Sequence, residues 1–246
     1  MCGRFTLKTP VVDWLLDLFP NQFALNPNLA FAGTSSNVFR ARYNISPTQQ
    51  ILVLRPDTSG QLRVDQMRWG LIPHWAEDLS IGAKMINARS ETLSEKPSFK
   101  PSLANKRCLV LADGYYEWKK ISPKEKQPYW IHCPDEQPFM MAGLWAENRR
   151  IPIVSQDSCL LSATVITTAS NQDTAMVHDR MPAIIQEPSA MQAWLNLDVN
   201  PAEQPSELLA LLQPAPAGTL QLRRVSNAVG KPQNDFQELI ESISDY

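Results

Sequence analysis

The feature that most constrains the fold is a train of short strand-like runs with little helix between them. Residues 50–55 and 61–69 flank the turn cluster Pro56-Asp57-Thr58-Ser59-Gly60 and read as a β-hairpin. Residues 107–112, 128–132, 139–145, 159–168, 183–186 and 219–225 continue the series. A parallel connection needs a crossover of a dozen or more residues, usually a helix, so consecutive strands without one favour antiparallel pairing. The chain therefore reads as α+β, a mostly antiparallel, barrel-like core with short flanking helices. A closed or nearly closed barrel would also remove exposed strand edges. With 246 residues, no internal repeat and no clear linker, residues 1–246 read as one domain.

Helices are brief. Thr9-Pro10 offers an N-cap with proline at the first helical position, and the helix that follows stops at Pro20. Residues 21–40 are rich in Asn, Pro, Ser and Gly and read as an irregular excursion. Residues 87–92 read as the opening of a short helix, with further helices over 98–106, 189–197, 206–212 and 235–242.

The net charge of −2 excludes a broadly basic surface, so any nucleic-acid contact must be a local patch. The start MetCysGlyArgPheThrLeuLysThrPro lacks the apolar run of a signal peptide, and no stretch is long enough to cross a membrane. Cys108, Cys133 and Cys159 lie in or near apolar runs without CxxC spacing and read as buried thiols of a reducing, cytoplasmic compartment.

Cys2 is different. Removal of Met1 would leave an α-amine and a thiol on adjacent carbons, with ordinary pKa values of about 8 and about 8.5. Such a 1,2-aminothiol condenses with an aldehyde to an imine and then closes to a thiazolidine; otherwise Cys2 is simply an inert cysteine. Glu117, in Tyr115-Tyr116-Glu117-Trp118, is a desolvated general acid–base or an exposed residue of an alternating strand. His178 precedes Asp179 and Arg180 in a polar loop, a setting suited to proton transfer. Asn87 and Arg89 form an anion site if a helix starts there, or a simple cap with a solvated Arg89. Trp69 is a core residue or a stacking platform for a base. Cys2, His74, Glu117 and His178 show no metal-ligand spacing, and no phosphate loop or GxSxG is present, so neither a metal nor a cofactor is expected.

Seven segments then occur in order: MetCysGlyArgPhe (1–5), TyrAsnIleSerPro (43–47), TrpGlyLeuIlePro (69–73), AsnAlaArgSerGlu (87–91), AspGlyTyrTyrGluTrp (113–118), AlaGlyLeuTrp (142–145) and HisAspArgMetPro (178–182). As a set they resemble the SOS-response-associated peptidase family, the abasic-site shield proteins. The likeness continues through Trp194-Leu195 and 229–235, with Leu111 where the family often has proline and 21–40 as a variable insertion. The resemblance implies a monomeric, DNA-associated protein that binds single-stranded DNA and links its mature N-terminal cysteine to an abasic site. By matching motif, Cys2 is the nucleophile, Asn87 orients it, Glu117 is the general acid–base, and His178 assists proton transfer. Arg4 and Arg89 hold phosphates, while Pro47, Trp69 and Thr167 line the groove. The same residues would also serve an N-terminal-nucleophile cysteine peptidase or amidase, and a non-catalytic single-stranded DNA-binding module is the other alternative.

Overall fold

The computed structural model describes residues 2–10, 12–20, 40–152, 159–196 and 205–243. The excursion expected over 21–40 lies outside these residues, apart from Arg40. Thirteen strands are present among them: β1 (Arg4–Leu7), β2 (Arg42–Ile45), β3 (Gln50–Pro56), β4 (Leu62–Trp69), β5 (Asn87–Arg89), β6 (Arg107–Ala112), β7 (Gly114–Lys120), β8 (Lys126–His132), β9 (Phe139–Asn148), β10 (Leu160–Ala169), β11 (Arg180–Pro182), β12 (Ile184–Ile185) and β13 (Gln221–Arg224). Four short helices flank them, α1 (Val12–Leu18), α2 (Lys100–Asn105), α3 (Pro188–Leu195) and α4 (Pro205–Ala210). None is long and apolar enough to cross a membrane.

Strands β10, β4, β3, β6 and β9 pair in that order, and β9 pairs back onto β10, so the ring closes. The expected barrel is therefore present, and the fold is α+β. The β3–β4 hairpin is set locally. Asp57 accepts hydrogen bonds from the Ser59 and Gln61 amides, and Gly60 takes the left-handed φ of 84° that the turn requires. Inside the ring, β6 is buried at every position, as its apolar run predicts. Its Arg107 is buried too, and the guanidinium donates to the carbonyls of Leu103, Ala104, Trp194 and Asn196, tying α2 and α3 to the barrel.

A second, five-stranded antiparallel sheet has the order β13-β8-β7-β1-β2. Its junction with the barrel runs through Asp113-Gly114. The buried Asp113 carboxylate accepts from the Thr6 hydroxyl at 2.6 Å and from the Lys8 and Thr9 amides at 2.6 and 2.9 Å, anchoring the far end of β1. Gly114 leaves room for Trp130, whose Nε1 would lie 2.1 Å from a Cβ placed there. That indole donates to Thr6 Oγ1 at 3.1 Å.

Some expectations need correction. Residues 87–92 are not a helix: Asn87–Arg89 form β5, and only Ser90–Thr92 turn, in 3-10 geometry. The segment is recruited as a strand because β10 offers it a parallel partner, with Asn87 opposite Val165 and Arg89 opposite Thr167. Strand β10 is also parallel to β4, so the pairing is mixed at that strand. Residues 180–182 pair with β10 as an added strand. The helix expected over 235–242 shrinks to one 3-10 turn at Gln237–Ile240. Cys108 and Cys133 are buried, but Cys159 is half-buried.

Candidate active site

Cys2 lies two residues before Arg4, the first residue of β1, and the β1–β7 register sets Arg4 opposite Tyr116. The residues before Arg4 therefore run beside Glu117. Asn87, at the start of β5, donates from Nδ2 to the Cys2 carbonyl at 2.7 Å. Its Oδ1 is buried and has no donor among the described residues. Facing them is His178, whose Nε2 lies 4.0 Å from Glu117 Oε2. The four residues marked from sequence as chemical thus come from the segment before β1, from β5, from β7 and from the β10–β11 loop, and converge.

The electrostatics follow from burial. Cys2 has no exposed surface; desolvation pushes its thiol far above the ordinary range, and the neighbouring Glu117 charge adds to the rise. Cys2 is a neutral thiol here, with Sγ 3.8 Å from the Arg4 carbonyl oxygen. Glu117 is only 3% exposed, and desolvation raises its pKa as well, against the opposing pull of His178. At His178, Nδ1 accepts the Arg180 amide at 3.0 Å yet also lies 2.9 Å from Asp179 Oδ1. The Asp179 side chain is 87% exposed, whereas the Nε2 edge of the His178 ring faces the buried Glu117 carboxyl.

The loop that carries His178 is itself fixed. Asn171 Oδ1 accepts from the Thr174 amide and hydroxyl, and the Thr174 carbonyl accepts the His178 amide at 3.2 Å. Asp173 accepts from the Gly218 and Leu220 amides, pinning the loop to the segment before β13.

The residues expected to touch DNA fall into two groups. The Arg89 side chain is exposed and forms no hydrogen bond or ion pair with a described residue, so its charge is available. Arg4 is half-buried and already donates to Asn44 Oδ1 at 3.0 Å, the Val229 carbonyl at 2.6 Å and the Gly230 carbonyl at 3.2 Å. Pro47 is half-buried in the Ser46–Gln49 turn, where Thr48 is held at a φ of 75° by bonds to Trp69 and Arg68. Trp69 is fully buried, donates from its indole to the Ile86 carbonyl at 2.9 Å, and meets Phe5 edge-on at 5.0 Å between centroids. Of the two readings of Trp69, the core one describes this conformation. Gly70 follows it because a Cβ there would meet the Gly82 carbonyl oxygen at 2.5 Å. Thr167 is buried on β10.

One interaction had no place in the sequence reading. Arg180 grips Glu91 with both terminal nitrogens, at 2.5 and 3.0 Å, and also donates to the Thr167 carbonyl at 2.6 Å. The signal was present, since opposite charges stand in two of the quoted motifs. The bridge joins the segment that carries Asn87 to the one that carries His178. Among the described residues no cluster of three or more His, Cys, Asp or Glu has the arrangement of a metal site.

Comparison with known proteins gives a consistent result. The family model described as "SOS response associated peptidase (SRAP)" matches residues 1–232. Abasic site processing protein YoqW of Bacillus subtilis is 40% identical over 98% of this chain and 100% of its own length. Abasic site processing protein YedK of Escherichia coli is 32% identical over 99% of this chain and 100% of its own. A solved structure from Bacteroides thetaiotaomicron superposes with a TM-score of 0.79 at 23% identity, covering 99% of this chain and 100% of that one, a likeness of fold. With a family model spanning nearly its whole length and relatives this similar, the chain belongs to the SOS response associated peptidase family.

Proposed function

We propose that the protein captures abasic sites in single-stranded DNA as a thiazolidine on Cys2, once Met1 has been removed. The observation that carries this reading is the convergence of Asn87, Glu117 and His178 on the one residue whose backbone nitrogen becomes an amine. An abasic sugar is mostly a closed hemiacetal, so its aldehyde must first be released by moving a proton. Glu117, kept protonated more readily by burial, donates to the ring oxygen as the C1–O bond breaks; the C1 hydroxyl gives up its proton to His178, which returns it through Nε2 to the Glu117 carboxylate. The Cys2 amine then attacks C1, and water leaves the carbinolamine with a proton from the same carboxyl. The thiol adds to the imine carbon, and its proton passes to the nitrogen. In sum, aldehyde and aminothiol give thiazolidine and one water.

The neutral thiol favours this route over the peptidase alternative. A cysteine peptidase needs a thiolate, which burial and Glu117 oppose here. Asn87 holds Cys2 by its carbonyl and keeps Oδ1 available to the new amine. Supporting a DNA target, both relatives named above are called abasic site processing proteins.

The test is intact-mass analysis of mass-verified Met-free and Met-retained protein after mixing with an abasic single-stranded oligonucleotide. The Met-free form should yield a heat-stable conjugate, Cys2→Ser at most a labile one, and the Met-retained form none. A heat-stable conjugate from Met-retained protein sinks the aminothiol mechanism.

A further inference from the structure

Strand β7 carries Glu117 and then runs on into a hairpin that the site does not use. Residues 119–126, Lys-Lys-Ile-Ser-Pro-Lys-Glu-Lys, hold four lysines and one glutamate, a net of +3 in a chain whose total is −2. Lys120, Lys124 and Lys126 are exposed and Lys119 is half-buried. None of the four forms an ion pair with a described residue. The register makes this stranger, since Lys120 stands directly across from Lys126. Like charges facing each other across a strand pair destabilise it. Glu125 is the one acidic residue of the hairpin, and its carboxylate forms no ion pair with a described residue.

We propose that this hairpin is a second contact for the phosphodiester backbone of DNA flanking the abasic nucleotide. The inference rests on the abasic-DNA reading for the identity of the reacting nucleotide. A polyanion laid along the tip supplies the countercharge that the protein omits, and release of condensed cations contributes to the affinity. Distance sets the footprint. At about 3.3 Å per residue, Lys120 lies about 10 Å along β7 from Glu117. At the duplex rise of about 3.4 Å per nucleotide of one strand, that is about three nucleotides from the captured sugar, and fewer if the strand is extended. The phosphates engaged belong either to continuing single strand or to a duplex that begins there.

The competing explanation is that the lysines only guard an edge. Past Tyr116, β7 has no β1 partner, and lysine on a free edge blocks pairing with other chains. Binding is therefore measured with a non-reactive tetrahydrofuran abasic analogue in three forms: a long single strand, a strand with duplex starting three nucleotides away, and a trinucleotide. The protein is wild type, Lys120→Gln/Lys124→Gln/Lys126→Gln, or the same three positions changed to Arg. On long single strands the Gln variant should lower the salt slope by about 2, at about 0.7 for each phosphate no longer engaged. Its affinity loss between 50 and 200 mM salt is then roughly 15–20-fold smaller than wild type. A larger change on the junction form assigns the interaction to duplex. The Arg variant should keep the wild-type slope, and the trinucleotide should bind all three proteins equally. An unchanged slope on both long forms, with aggregation of the Gln variant, overturns the proposal in favour of edge protection. A slope that changes although wild type forms no conjugate with reactive abasic DNA keeps the hairpin's phosphate binding and removes the abasic reading instead.

Discussion

The Asn87–Cys2 hydrogen bond offers the sharpest test of how the site is held together. Asn87→Ala deletes the 2.7 Å bond and leaves the Cys2 carbonyl, on a residue with no exposed surface, without that donor. Leaving a buried acceptor unsatisfied costs about 1–3 kcal/mol. For a chain of this size that is about 2–4 °C of melting temperature per kcal/mol, so the variant should melt roughly 2–12 °C lower. The kinetic loss should be greater than this modest destabilisation implies. Misplacing a reacting group by about 1 Å costs up to about 10²-fold in rate. Asn87→Asp sharpens the contrast, because a carboxylate aimed at the Cys2 carbonyl oxygen repels what the amide held. The assay is single-turnover conjugate formation with saturating abasic single strand at a temperature where every variant is folded, alongside affinity for the tetrahydrofuran analogue. Slower capture by about 10–100-fold for Ala, slower still for Asp, with affinity changed little, is the expected pattern. Wild-type rates in Asn87→Asp would refute the reasoning, since no other described side chain donates to that carbonyl.

Two further outcomes follow from the geometry. Glu117→Gln should slow capture by about 10² or more while DNA binding persists, and should remove the fall in rate that wild type shows as pH rises through the elevated Glu117 pKa. The same raised pKa means the folded state binds that proton more tightly than the unfolded chain. Its stabilising contribution is complete below the unfolded carboxyl value and is lost as pH rises through the folded one, so the Gln variant should melt above wild type at neutral pH in a calorimetric scan. Gly114→Ala should drive a methyl into the Trp130 indole, break its bond to Thr6 and lower the melting temperature sharply; Gly114→Ala melting like wild type would mean the indole moves away without cost.

The parts of the fold legible in the sequence were those set by local pattern. The β3–β4 hairpin announces itself through its turn residues, and β6 through an apolar run that only a strand buried on both faces tolerates. Strand β5 was illegible because three residues carry no period; the partner on β10, some 78 positions away, decides their conformation. The site shows the same division. Cys2, Asn87, Glu117 and His178 could each be marked from their own surroundings, and the resemblance added their roles. The Arg180–Glu91 bridge needs the three-dimensional path of the chain, because its partners are 89 residues apart. Trp69 shows the opposite case, in which a residue marked for a groove is committed to the core through Phe5 and the Ile86 carbonyl.

The grip on Arg4 has a consequence for the order in which the protein is built. Two of its three acceptors, the carbonyls of Val229 and Gly230, lie 225 and 226 residues downstream. Asn44, the third, is held in turn by the carbonyls of Val229, Lys231 and Asn234, and Asp235 clasps the outer edge of β2 through the Tyr43 and Asn44 amides. Apart from the Arg4–Asn44 bond, none of these can form until residues 229–235 have been synthesised. Until then β1 and β2 lack these partners, and an enzyme that removes Met1 during synthesis meets an unlatched strand. Residues 229–235 then close the latch on the strand that follows Cys2.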